Sequence, residues 1–95
     1  MNFITIKTIR VLITGRVQGV WYRASTKQKA EQLDIKGWVR NTDEGNVEAV
    51  FQGREKNIDD MLKWCHKGPM MADVKKVEII ENLKNQHFEV FKIKH

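Results

Sequence analysis

The 95-residue chain contains one cysteine, Cys65, and three histidines. A single cysteine excludes an intrachain disulfide and leaves no cysteine cluster for zinc. His66, His87 and His95 stand apart, with no second histidine or cysteine at ligand spacing, so no metal site and no metal or other cofactor are expected. No apolar run approaches the roughly 18 residues of a membrane span. Lys7 and Arg10 interrupt the N-terminal apolar positions before these could form a signal-peptide core, so the cytoplasm is the expected compartment. The chain also lacks the Gly-Lys-Ser/Thr ending of a nucleotide P-loop and has no Gly-x-Gly-x-x-Gly, which disfavours nucleotide binding by those modes.

What is present describes a soluble globular chain: 41% of residues are hydrophobic and 31% charged, enough for one core but not for two. A single domain over residues 1–95 is expected. The formal charge of +5 favours anionic ligands through the long-range field and brings nucleic acid into consideration. Many of the lysines are scattered among acids, however, and a solvated basic surface explains them as well. Nothing in the sequence demands an oligomer, and a monomer is expected.

Ile9, Val11 and Ile13 alternate with Arg10, Leu12 and Thr14, the period of a strand with one strongly apolar face. Residues 1–7 read as a leader or as an extension of that strand. Tyr22, Thr26, Ala30 and Leu33 fall on one side of a helix predicted over residues 24–33, with Lys27, Lys29, Glu31 and Gln32 turned to water. Residues 35–41 and 46–52 read as two strands joined by the turn formers Thr42-Asp43-Glu44-Gly45, hence a hairpin. Gly53 is expected to end the third strand. Asn57 and Asp60 resemble a helix start that could lie a residue or two earlier; Ile58, Met61, Leu62 and Cys65 keep helical spacing; Gly68-Pro69 stops the helix. Strands over 74–82 and 88–94 complete the chain. Cys65, among apolar neighbours on a helix, reads as a packed thiol.

Strand, helix, strand, strand, helix, strand and one extra strand form an α+β, split βαβ arrangement: a largely antiparallel sheet with both helices on one face. If the third strand pairs antiparallel with both the first and the second, those two strands run the same way. The exit of the first and the end of the second then share one edge, and Arg23 and Asn41 can face one site.

The connection Gly15-Arg16-Val17-Gln18-Gly19-Val20-Trp21-Tyr22-Arg23 runs from the first strand into the first helix. Its two glycines permit backbone conformations closed to other residues, and a helix N-terminus follows, so the loop suits a small oxyanion. Arg16 and Arg23 flank it, and a guanidinium can grip two phosphate oxygens at once. An ordinary glycine-containing connection with surface arginines fits the spacing equally well. Asp43 and Glu44 are explained by turn chemistry, and Ser25 and Thr26 by local hydrogen bonding in a first helical turn.

That loop, followed by Gly37-Trp38-Val39-Arg40-Asn41-Thr42-Asp43-Glu44-Gly45-Asn46-Val47-Glu48 and then Gly53, resembles the two signature segments of the acylphosphatase family, in order and at the expected separation. Gly68-Pro69, Ala72 and Val74 are similar to a later family segment. The resemblance runs from about Thr8 to the C-terminus. It implies a ferredoxin-like βαββαβ sandwich that hydrolyses the mixed anhydride of a carboxylic acid and phosphate without metal or cofactor. It places the family's phosphate-binding arginine on Arg23 and its water-orienting asparagine on Asn41. Backbone N–H groups from Arg16 to Val20, with Gly15 opening the loop, would complete the cradle: Gly15, Arg16, Val17, Gln18, Gly19 and Val20. Trp21-Tyr22 departs from the family's usual pair but keeps an aromatic at Tyr22.

The chemistry agrees. An acyl phosphate is already activated, so a protein need only hold the phosphoryl group, neutralise its charge and place a water in line. An amide such as Asn41 can accept from and donate to that water but is no general base at neutral pH; the proton is expected to pass to the substrate's own phosphate. The competing readings are a non-catalytic phosphate-binding domain and an RNA-binding module of the same element order. Lys36-Gly37-Trp38 mimics the start of an RNA-binding signature, but Val39-Arg40-Asn41 does not continue it, and Phe51 is the sole aromatic of the third strand. A small acyl phosphate, rather than nucleic acid or a membrane, is the expected partner.

Overall fold

The computed structural model describes residues 5–95; residues 1–4, part of the stretch expected to be a leader or an extension of the first strand, lie outside the described residues. The elements are β1 (Ile6–Arg16), α1 (Tyr22–Gln32), β2 (Lys36–Asn41), β3 (Val47–Arg54), α2 (Glu55–Lys67), β4 (Asp73–Asn82) and β5 (Phe91–Lys94). They form one five-stranded sheet in the order β4-β1-β3-β2-β5.

The alternation in β1 does what its period requires. Ile9, Val11 and Ile13 are buried against the helices, with Val39, Val47, Ala49 and Phe51 beside them on β2 and β3. From the helices come Tyr22, Thr26 and Ala30 of α1 and Ile58, Met61 and Cys65 of α2. The opposite face of the sheet is polar but not loose. Glu48, only 6% exposed, accepts from Arg40 Nε at 2.7 Å and pairs with Arg10 Nη1 at 3.3 Å. A buried carboxylate is tolerable only with such partners.

Register decides where the site lies. Val47 of β3 is the antiparallel partner of Ile13 on one side and of Asn41 on the other. β1 and β2 therefore run the same way and finish at the same sheet end, as expected. β5, whose position the sequence left open, pairs parallel with β2, Arg40 opposite Lys94. Three strands thus end together, and their C-terminal residues crowd one corner.

Several element bounds differ from expectation by a residue or more, and three of the differences have a visible cause. α1 begins at Tyr22, two residues early, because the left-handed turn at Trp21 (φ 67) redirects the chain into the helix at once. Gly53 does not break β3: it pairs with Lys7, and Ile35 packs where its side chain would be. β5 is shorter than predicted, beginning at Phe91, because the N–H of Phe88 is taken by the Gln52 side chain (3.2 Å) rather than by a strand.

Candidate active site

At this corner lies an open pocket of about 420 Å³ lined by Val17, Gly19, Trp21, Tyr22, Arg23, Ala24, Asn41, Ile93 and His95. Of the residues singled out from sequence, Val17, Gly19, Arg23 and Asn41 line it. Gly15, Arg16, Gln18 and Val20 support it from outside.

The loop is held by its side chains rather than by its backbone. Val17 and Val20 are buried, anchoring it in the core. Arg16 Nη2 donates to the Met71 carbonyl at 3.1 Å, which ties the loop's start to the approach to β4 and commits that guanidinium away from the pocket. Gln18 Nε2 donates to the carbonyls of Thr42 (2.9 Å) and Asn46 (2.7 Å). Among the described residues, the N–H groups of Val17, Gln18, Gly19 and Val20 donate to no protein acceptor. The four donors are consecutive, and two of the residues that carry them, Val17 and Gly19, line the pocket.

The two glycines serve different ends. A Cβ on Gly15 (φ 125) would come within 2.7 Å of the Lys75 nitrogen and closer still to the Asp73 carbonyl, so β4 can approach only because that position is bare. Gly19 (φ 73) has open space where its Cβ would be, and it lines the pocket.

The field at the site is positive. α1 starts with no side-chain cap and no acidic residue in its first turn, so the partial positive charge of its N-terminus is uncompensated. Arg23, in that first turn, has no carboxylate within ion-pair distance among the described residues. Its one side-chain hydrogen-bond contact among the described residues is to His95, with 3.5 Å between Nη1 and Nδ1. Asn41 Oδ1 is shielded from solvent and accepts no hydrogen bond, leaving the amide uncommitted.

Behind the pocket, the Tyr22 hydroxyl donates to the Cys65 carbonyl at 2.7 Å and its ring packs on Trp64, which locks the start of α1 to α2. Burial pushes the Tyr22 phenol well above its ordinary range and, opposed only by the Tyr22 hydroxyl, pushes the Cys65 thiol up to about 12. Cys65 is therefore the packed thiol expected, with no nucleophilic character. Phe51 is fully buried against Phe91 and offers no face to a nucleic-acid base. No cluster of three or more potential metal ligands occurs among the described residues, and no described helix is long and apolar enough to cross a membrane.

Sequence reasoning missed Trp21, Tyr22, Ala24, Ile93 and His95 as pocket walls. Ile93 and His95 arrive through the parallel pairing of β5, which carries no local signal. Trp21 and Ala24 are neighbours of Arg23 in sequence and could have been found as such.

Fold and site together define a ferredoxin-like sandwich with an open pocket at the corner where three strands end. The acylphosphatase family model matches residues 9–93. An acylphosphatase of Nitrosococcus oceani is 48% identical over 87 residues, covering 90% of this chain and 98% of that protein. One of Rubrobacter xylanophilus is 51% identical over 75 residues, covering 79% and 68%. The solved structure of an acylphosphatase from Coxiella burnetii superposes with a TM-score of 0.91 at 33% identity, covering 99% of this chain and all of the other. The chain belongs to the acylphosphatase family and is an enzyme of that kind.

Proposed function

We propose that the protein hydrolyses acyl phosphates to a carboxylate and inorganic phosphate, with Arg23 and the loop amides from Arg16 to Val20 holding the phosphoryl group and Asn41 orienting the attacking water. The observation that carries this is the meeting of Arg23, Gly19 and Asn41 in one pocket beside a run of unpaired N–H groups. Arginine and backbone donors neutralise the equatorial oxygens as charge develops. Water forms a new bond to phosphorus, the bond from phosphorus to the acyl oxygen breaks, and the carboxylate leaves with the bonding pair. The water's proton passes to a phosphate oxygen.

The unpartnered Asn41 Oδ1 supports its assignment. A buried acceptor left unsatisfied costs about 1–3 kcal/mol, and a half-turn of the amide toward an entering water relieves that cost while aligning the water. Because the leaving group is already good, we infer that no metal or cofactor is needed, and that the enzyme works as a single-domain monomer in the cytoplasm. Steady-state cleavage of benzoyl phosphate with and without EDTA tests this. Equal turnover in both is expected; no turnover, or turnover lost to chelation and restored by Mg²⁺, contradicts it.

A further inference from the structure

We propose that Gln18 is a positioning residue: its side-chain amide is the strut that sets the distance between the phosphate-holding loop and Asn41. This role rests on the functional reading above.

The loop has an unusual mechanical problem. Its N–H groups are free for a ligand, so they cannot also hold the loop in place. Val17 and Val20 anchor it through apolar burial, which is non-directional. Arg16 ties it toward β4 through Met71, away from Asn41. Among the described residues, Gln18 is the loop side chain whose hydrogen bonds reach the other half of the site.

Its partners are two particular carbonyls. The turn between β2 and β3 is closed by the Thr42 N–H donating to the Asn46 carbonyl (2.9 Å) and the Asn46 N–H donating to Thr42 Oγ1 (3.1 Å). Gln18 gives both hydrogens of its amide to the carbonyls of these same two residues, one at each end of the turn. Thr42 is bonded directly to Asn41, and Asn46 precedes Val47, the cross-strand partner of Asn41. The strut therefore grips both arms of the hairpin one residue beyond the rung that carries the water-orienting amide, on its turn side. Because both acceptors are carbonyls, only the NH₂ end of the side chain can face them. A carboxylate of the same shape would be repelled.

Gln18→Glu and Gln18→Ala test the role, with benzoyl phosphate kinetics from pH 5 to 8 and inorganic phosphate as competitive inhibitor. Misplacing reacting groups by an ångström costs on the order of 100-fold, so kcat should fall about 10- to 100-fold in both variants near neutral pH. The phosphate inhibition constant should stay within about threefold of wild type, since the ground-state cradle survives. Relative to wild type, Gln18→Glu should recover as pH falls, because its protonated carboxyl regains one donor; Gln18→Ala should not. A merely structural role would not produce that difference. The role is overturned if kcat is unaffected, if the loss lies wholly in phosphate affinity, or if the two variants share one pH profile. A wild-type chain that turns over no acyl phosphate would refute the functional reading and this role with it; an active wild type with unimpaired variants would refute the role alone.

Discussion

The same substitution at the two loop glycines should damage two different properties. In Gly15→Ala the new methyl would stand 2.7 Å from the Lys75 nitrogen and closer to the Asp73 carbonyl; both atoms are backbone, so relief requires β4 to move away. That movement opens the last rungs between β1 and β4, where Gly15 faces Val74 and Arg16 faces Asp73. Two backbone hydrogen bonds at about 1 kcal/mol each, together with about 1–2 kcal/mol for a non-glycine residue held at φ 125, give a loss of about 3–4 kcal/mol. Gly19→Ala meets no atom within 4 Å and carries only the left-handed backbone penalty, about 1 kcal/mol. Gly19 lines the pocket, and if the loop holds phosphate as proposed, a methyl there should lower affinity for inorganic phosphate about tenfold, the equivalent of about 1.4 kcal/mol. Urea unfolding followed by tryptophan fluorescence measures the first effect, and competitive inhibition by phosphate the second. Equal destabilisation by the two variants, or Gly19→Ala binding phosphate like wild type, would refute this division of labour.

Arg23→Lys keeps the charge but loses the fork, and kcat/KM for benzoyl phosphate should drop about 100- to 1,000-fold by analogy with removal of one oxyanion donor; near-wild-type turnover would remove Arg23 from the site. Glu48→Gln leaves Arg10 and Arg40 facing a neutral amide at a buried position, and because both arginines remain partly exposed the cost should be modest, about 1–2 kcal/mol by urea denaturation. Burial lifts the Cys65 thiol from 9.0 to about 12 and lifts the Tyr22 phenol also. Between pH 9 and 12 the unfolded chain releases protons that the folded one retains, so stability should decline as pH rises above 9; urea midpoints from pH 7 to 10.5 would show it. At pH 8 the thiol should stay unreactive toward a disulfide reagent until the protein is unfolded.

Much of this architecture was legible in local pattern. Apolar residues at every second position of β1, and the helical spacing of Tyr22, Thr26 and Ala30, report a buried face directly, and the hairpin turn orients β2 against β3. With the β1–β3 pairing that the split βαβ arrangement supplies, these place Arg23 and Asn41 at one sheet end. What local pattern does not encode is partner choice between distant segments. Phe91 and Ile93 point to one face of a strand but do not say which sheet edge receives it, so the arrival of Ile93 and His95 beside Arg23 was invisible. Nor does a residue type report its direction: Arg16 and Arg23 flank the loop alike in sequence, yet the first is bound to Met71 and the second faces the pocket. Nothing in the sequence marks Glu48 as buried, because its burial depends on Arg10, thirty-eight positions away in the chain. Gly53 read as a strand end because a glycine that admits a neighbour's side chain and a glycine that breaks a strand are the same letter.

The most direct test of the account is where the solvent oxygen goes. The chain should be given benzoyl phosphate in ¹⁸O-enriched water and the products separated and weighed by mass spectrometry. Water placed by Asn41 in line with a phosphorus held by Arg23 and the loop must leave its oxygen in inorganic phosphate, with unlabelled benzoate, and Asn41→Ala must slow that labelling without redirecting it. Label found in benzoate would mean attack at the carbonyl carbon, and the site as described here would be wrong.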